Sequence, residues 1–287
     1  MRDLAGRVAV VTGGAGGIGL AMGRAFAGRG MRVVLADVEE PALAKAAAEI
    51  PGALAVPADV TSPASMAELA DQAYQAFGAV HLLCCNAGVG PAAAPPIWEQ
   101  EPADWQWGLE VNLLGVLNGL RAVLPRMIAA GEPGHVVTTA SGNGGIAPIP
   151  SAAVYAVTKA AVVTLSECLY GQLAGTRIGV SVLFPGPHML RTGIFNAERN
   201  RPARHARMAA SPAARTADEV AAAMRAHGLE PEFTPVEEVA EQVVAGVREG
   251  RFWILPEADR TDAMIRTRAD SMLTRSTPAY LRPTKTS

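Results

Sequence analysis

Through residue 255, short β-rich apolar runs alternate with longer Ala-rich stretches in which apolar residues recur at helical spacing. The runs Arg7–Val11, Arg32–Ala36, Ala53–Val56, His81–Cys85, His135–Thr139, Gly179–Phe184 and Phe252–Ile254 read as strands. Helical period marks Gly17–Arg29, Pro41–Ile50, Ser62–Phe77, a long stretch around Asp104–Ala130, Val154–Leu173 and Pro235–Glu249, with Gly30, Gly78, Gly131 and Gly250 as stops. This alternation predicts βαβ units, hence an α/β fold: a doubly wound, Rossmann-type parallel sheet of about seven strands covered on both faces.

One region breaks the pattern. From Arg191 to Pro235 no strand is predicted, four arginines fall within nine positions (Arg199, Arg201, Arg204, Arg207), and a short helix is expected near Thr216–His227. An excursion of this length is either a solvated surface loop or a lid that orders over an apolar ligand. The expected organisation is one domain over residues 1–260, with 191–235 as a lid insertion and 261–287 as a frayed or intersubunit tail.

Composition narrows the function classes. The chain has 287 residues, 49 % hydrophobic, enough for one large core, and a net charge of −2 offers no electrostatic footprint for nucleic acid or an anionic membrane. No uninterrupted apolar run reaches the roughly 20 residues of a membrane span. Three cysteines, with Cys84 and Cys85 adjacent in a strand, suit reduced core thiols and a cytoplasmic protein, and the five histidines are too scattered for a metal motif. No metal site is expected.

Candidate chemistry sits at the strand ends. Thr12-Gly-Gly-Ala-Gly-Gly-Ile-Gly19 follows a strand and opens a helix, and Gly14, Gly16 and Gly19 fit G-x-G-x-x-G. Such a turn lets the backbone approach a pyrophosphate at a helix N-terminus. Asp37 ends the second strand some 20 residues on, where a carboxylate accepts both hydroxyls of an adenine ribose and repels a 2′-phosphate, so NAD is the expected cofactor. Tyr155 and Lys159, four residues apart on a predicted helix, share one face, so an ammonium can favour the deprotonated phenol. That pairing makes Tyr155 a candidate acid/base.

Taken together, Thr12-Gly13-x-x-x-Gly17-x-Gly19, Asn86-Ala87-Gly88, Ser141 and Tyr155-x-x-x-Lys159 resemble the short-chain dehydrogenase/reductase family over roughly residues 5–255. The resemblance implies that Gly13, Gly17, Ile18 and Gly19 form the cofactor turn, that Asp59 and Val60 contact adenine, and that Asn86, Ala87 and Gly88 support the nicotinamide ribose. It implies that Tyr155 is the acid/base, that Lys159 lowers its pKa and holds the ribose, that Ser141 binds the substrate oxygen, and that Asn112 holds a water for proton relay. Pro185 and Gly186 would close over the nicotinamide and Thr192 would donate toward the cofactor. Cys85 stands where the family more often has Asn, Ser141 lies fourteen residues before Tyr155, one more than the family spacing, and Thr192 comes about two positions late. Thr138 or Thr139 is the alternative to Ser141. Patchier matches, such as Asn112-Leu-Leu-Gly-Val-Leu-Asn-Gly119 and Leu124-Pro-Arg-Met-Ile128, resemble the branch containing Cα-dehydrogenases of lignin-derived aryl ethers.

The expected function is reversible NAD-dependent oxidation of a secondary alcohol, bulky and apolar or aromatic, to a ketone, by a homotetramer or homodimer with no nucleic-acid or membrane partner. The alternatives are an NADPH-dependent carbonyl reductase and a non-catalytic dinucleotide-binding regulator. His188 either reaches the substrate or is solvated. Trp98, Trp105 and Trp107 either line the pocket or serve the core or a subunit contact.

Overall fold

Seven parallel strands form a single sheet: β1 (Val8–Thr12), β2 (Arg32–Asp37), β3 (Leu54–Pro57), β4 (Leu82–Cys85), β5 (Gly134–Thr139), β6 (Ile178–Leu183) and β7 (Trp253–Ile254). Their spatial order is β3-β2-β1-β4-β5-β6-β7. In this computed structural model residues 1–90, 95–208, 215–278 and 281 are described. Parts of the lid and tail expectations, at 209–214, 279–280 and 282–287, lie outside the described residues.

Alternation along each strand builds two cores. Val10, Leu83, Val136 and Val182 face one cluster with Met66, Leu69, Val123 and Val162. Their neighbours Val11, Leu82, Val137 and Leu183 face the other, with Phe26, Leu43 and Val243. The helices are α1 (Gly17–Ala27), α2 (Glu40–Ala48), α3 (Pro63–Phe77), α4 (Pro102–Leu109), α5 (Gly115–Ala130), α6 (Ala153–Gln172), α7 (Ala217–Ala226), α8 (Val236–Glu249) and α9 (Asp259–Leu273), and α1, α2, α3, α5, α6 and α8 supply the two cores. Cys84 and Cys85 lie on opposite faces, and burial pushes the Cys85 thiol up to about 12, so both behave as small core residues.

The predicted long helix around Asp104–Ala130 is three pieces. A π-turn at Glu110–Leu114 separates α4 from α5, and it carries Asn112. An extra residue in a helical turn leaves hydrophobic period nearly intact on either side, so spacing alone does not reveal it. Gly78, Gly131 and Gly250 close their helices in the left-handed conformation, whereas α1 is capped by Gly28, two residues before Gly30. Within the expected tail, residues 259–273 form α9. Asp259 and Asp262 in its first turn favour the helix dipole, and Arg268 Nη1 donates to the carbonyls of Gly145 (3.3 Å) and Ile146 (2.6 Å).

Two helical stretches, Pro102–Ala130 and Pro150–Gln172, reach the length and mean apolarity of a membrane span once up to two charged residues are tolerated. Both are built into this fold, with 39 % and 50 % of their most apolar windows buried. Their outer faces still expose Leu114, Leu117, Ile128, Val157 and Tyr170.

Candidate active site

Strand order reverses between β1 and β4, so the connections leaving these two strands diverge and open a crevice at the carboxyl edge. Every residue singled out in the sequence follows a strand at this edge or sits on a helix packed beside it. Thr12 ties the floor together: its hydroxyl donates to Cys84 O (3.3 Å) and accepts from the N–H groups of Asn86 (3.0 Å) and Ala87 (3.1 Å). Asn86 adds a bond from Nδ2 to Thr12 O (3.1 Å) and accepts from Thr139 Oγ1 (3.2 Å), joining the ends of β1, β4 and β5.

The glycine turn is shaped for close approach. A Cβ on Gly19 would stand 2.0 Å from Gly13 O, so only hydrogen fits there. Gly17 adopts φ +52°, and a Cβ on it would meet Thr192 Cγ2 at 3.0 Å. Thr192 therefore reaches the turn despite its late position, seated over it by the chain leaving β6. No side chain caps the N-terminus of α1, which leaves its first N–H groups and positive dipole end facing the crevice. Ile18 is half-buried and packs on the core behind the turn.

Asp37 closes the β2 end of the crevice. Its Oδ2 accepts from Ala15 N (3.0 Å) and its Oδ1 from Glu39 N (3.1 Å), which fixes the carboxylate beside the glycine turn. Asp59 accepts from the N–H (2.9 Å) and hydroxyl (2.8 Å) of Thr61 through Oδ1. Val60 packs against Gly115 at the start of α5, and its carbonyl accepts from Asn118 Nδ2 (2.9 Å). These residues meet the fit required of a dinucleotide site: a bare helix N-terminus for the phosphates and an oriented carboxylate for the ribose.

At the other end stand Tyr155, Ser141 and Lys159. Ser141 caps the turn Gly142–Gly145 by accepting from Asn143 N (3.1 Å), and its hydroxyl stands beside the Tyr155 phenol. Thr138, bonded to Ser166 Oγ (2.6 Å), and Thr139, bonded to Asn86, are committed elsewhere, so Ser141 is the hydroxyl beside Tyr155. Burial raises the phenol above its ordinary value, and the neighbouring Ser141 hydroxyl opposes it. The expected lowering by Lys159 is not what governs Tyr155 here. Lys159 is itself buried, with Nζ donating to Thr139 O (2.8 Å) and lying 5.7 Å from the Tyr155 ring centroid, and burial lowers it to about 8.

Asn112 projects inward from the π-turn. It accepts from Val89 N (2.8 Å) and donates to Val89 O (3.1 Å) and Thr158 Oγ1 (3.0 Å). A Cβ on Gly88 would lie 3.2 Å from Asn112 Oδ1 and 3.4 Å from Lys159 Nζ, so the two side chains share the space above Gly88. Beyond them a small cavity is lined by Val89, Trp107, Val154, Tyr155, Arg201 and Arg207. Trp107 is buried there, whereas Trp98 is 83 % exposed. His188 turns away toward the return of the excursion: its ring lies 3.0 Å from Glu232 and its N–H donates to Thr234 Oγ1 (3.2 Å). Pro185 and Gly186 follow β6 at the crevice, and Gly186 takes a φ of +151°.

Arg199, Arg201, Arg204 and Arg207 of the excursion are ion-paired, and the side chains of Arg201 and Arg207 are largely buried. Asp104 Oδ1 pairs with Arg201 (2.8 Å) and Arg207 (2.6 Å), and Glu198 pairs with the same two guanidiniums at 2.8 and 3.3 Å. Arg201 also stacks 4.2 Å over Trp107. Glu110, at the start of the π-turn, accepts from His205 (2.7 Å) and Arg204 (3.1 Å), and Glu39 holds Arg199. The arginine cluster is visible in the sequence, but apart from Glu198 its acidic partners lie about 90 to 160 residues away, where no local pattern links them.

Comparison with known proteins gives a consistent result. A family model described as short chain dehydrogenase matches residues 7–202. A C alpha-dehydrogenase from Sphingobium sp. strain SYK-6 is 35 % identical over 262 residues, 89 % of this chain and 82 % of that protein. A 1-deoxy-11-beta-hydroxypentalenate dehydrogenase from Streptomyces exfoliatus is 40 % identical over 184 residues, 63 % of this chain and 66 % of its own length. The crystal structure of a short chain dehydrogenase/reductase from Burkholderia phymatum in complex with NAD superimposes with a TM-score of 0.86 at 36 % identity, covering 97 % of this chain and 98 % of that one.

Proposed function

The chain belongs to the short-chain dehydrogenase family, and we propose that it oxidises a secondary alcohol to a ketone, reversibly, with NAD as hydride acceptor. The observation that carries this reading is the meeting of Tyr155, Ser141 and Lys159 at the far end of a crevice whose near end holds the bare N-terminus of α1 and Asp37. Bound there, NAD supplies the carbon that receives the hydride. Tyr155 takes the hydroxyl proton as the hydride leaves, and Ser141 orients the substrate oxygen toward it. Lys159, anchored on Thr139 O, has donors to spare for ribose hydroxyls. Asn112 fixes Val89 beside Lys159, and the second lone pair of its Oδ1 is available to a relay water.

A bulky apolar or aromatic alcohol is supported by the lining of Val89, Trp107 and Val154 beside Tyr155. The excursion at 191–235 serves as the lid of one catalytic domain over 1–260, held by the Asp104–Arg201 and Asp104–Arg207 pairs. The outward apolar faces of α5 and α6, with Leu117 and Val157 exposed, suit a homodimer or homotetramer. Buried reduced thiols suit the cytoplasm.

NADPH-dependent reduction is disfavoured by the oriented carboxylate of Asp37. A regulator that only binds dinucleotide has no use for a buried ammonium beside a tyrosine and serine. The test is to supply the purified protein with NAD and a panel of aryl and alkyl secondary alcohols and to follow NADH and ketone. Formation of both supports the reading, and NAD binding without turnover of any alcohol would favour the regulator.

A further inference from the structure

Glu39 and Arg199 meet at the adenosine end of the crevice. Glu39 lies two residues beyond Asp37, and its backbone N–H donates to Asp37 Oδ1 (3.1 Å), so both carboxylates belong to one turn. Arg199 comes from the excursion, 160 residues further on. The chain carrying it passes over the glycine turn at Thr192 and presses on Gly90, where an added Cβ would stand 2.3 Å from Ile194 O. This strap thus runs from the nicotinamide side of the crevice, past the phosphate turn, to the end of β2.

The guanidinium is positioned by its own segment. Arg199 Nη1 donates to the carbonyls of Gly193 (3.0 Å) and Asn196 (2.6 Å). That leaves the edge formed by Nε and Nη2 free for an anion, and Glu39 fills it with both carboxylate oxygens, Nε to Oε2 at 3.2 Å and Nη2 to Oε1. Asn200 Nδ2 adds a bond to Glu39 Oε1 (2.9 Å). A guanidinium edge of this kind takes a phosphate monoester as readily as a carboxylate.

We propose that Glu39 is a second determinant of cofactor choice: it occupies Arg199, which would otherwise be a ready ligand for the 2′-phosphate of NADP. Asp37 repels that phosphate from one side of the turn, and Glu39 withholds the cation that would attract it from the other. The proposal rests on the NAD reading above.

Equilibrium binding of NADH and NADPH, read by energy transfer from protein tryptophans to the reduced nicotinamide, separates the parts without requiring turnover. For Glu39→Gln the expected result is NADPH binding tighter by about tenfold or more, with NADH within about threefold of wild type. Arg199→Ala alone should not improve NADPH binding, because Glu39 is still present. In Glu39→Gln with Arg199→Ala the gain should vanish. NADPH binding unchanged in Glu39→Gln, while NADH still binds and so reports an intact crevice, would overturn the proposal. So would a gain that survives loss of Arg199. Equal binding of the two cofactors by wild type would overturn the NAD reading itself, and the proposal with it.

Discussion

The Ser141 hydroxyl stands beside the Tyr155 phenol, and this contact opposes the burial that raises the phenol above its ordinary value. Removing the hydroxyl as Ser141→Ala therefore raises the Tyr155 pKa further. In alcohol oxidation the deprotonated phenol is the working form, so the limb of the pH–rate profile that rises with pH should move to higher pH. A net hydrogen bond of about 1 kcal/mol corresponds to a displacement of somewhat under one pH unit. Profiles of kcat/KM for wild type and variant check this, and a limb that stays in place or moves to lower pH would contradict the assignment.

Lys159 gives a prediction for stability. Burial holds it at about 8 in the folded chain against an ordinary value of 10.5. Between these values the unfolded chain binds the proton that the folded chain has released, so stability from this group rises with pH through that window and is lowest below it. Lys159→Met removes a buried ammonium, and it should melt no lower than wild type at pH 7 while losing turnover by about a hundredfold or more. Relative to the variant, wild type should gain stability as pH rises from about 8 toward 10.5. Melting curves at several pH values test the sign.

Much of this arrangement is legible in the chain because it is local. Strand period placed all seven strands within a residue or two, and the site residues follow strand ends, so locating β1, β2, β4 and β5 also located Gly13, Asp37, Asn86 and Ser141. Tyr155 and Lys159 are one helical turn apart and need no tertiary information. What the sequence does not display depends on backbone detail or on distant partners. The π-turn bearing Asn112 hides inside a helical period. Lys159 faces Thr139 O instead of acting mainly on Tyr155 because its environment is set by the end of β5. Helix α9 buries no residue, so it lacks the apolar stripe by which helices are recognised.

Asp104 ties down the excursion that follows β6. Its Oδ1 is shared by Arg201 and Arg207, whose side chains are only 7 % and 11 % exposed. Asp104→Asn leaves two buried guanidiniums with Glu198 as their remaining carboxylate, a change expected to cost on the order of 3 kcal/mol locally. Hydrogen exchange across 198–207 should accelerate and the alcohol KM should rise, while NADH affinity changes little because the glycine turn and Asp37 are untouched. Exchange as slow as in wild type would show that the strap is secured elsewhere.

The central claim is that this crevice moves a hydride between a secondary alcohol and NAD with Tyr155 as the proton carrier. The most direct measurement compares wild type with Tyr155→Phe, following NADH and ketone during oxidation of a bulky secondary alcohol and measuring NADH affinity in parallel. The account predicts NADH and ketone in equal amounts from wild type, a loss of about 10²- to 10⁴-fold in the variant, and nearly equal NADH affinity in the two. A variant that retains more than about a tenth of the wild-type rate, below the loss typical of removing an acid/base group, would contradict it.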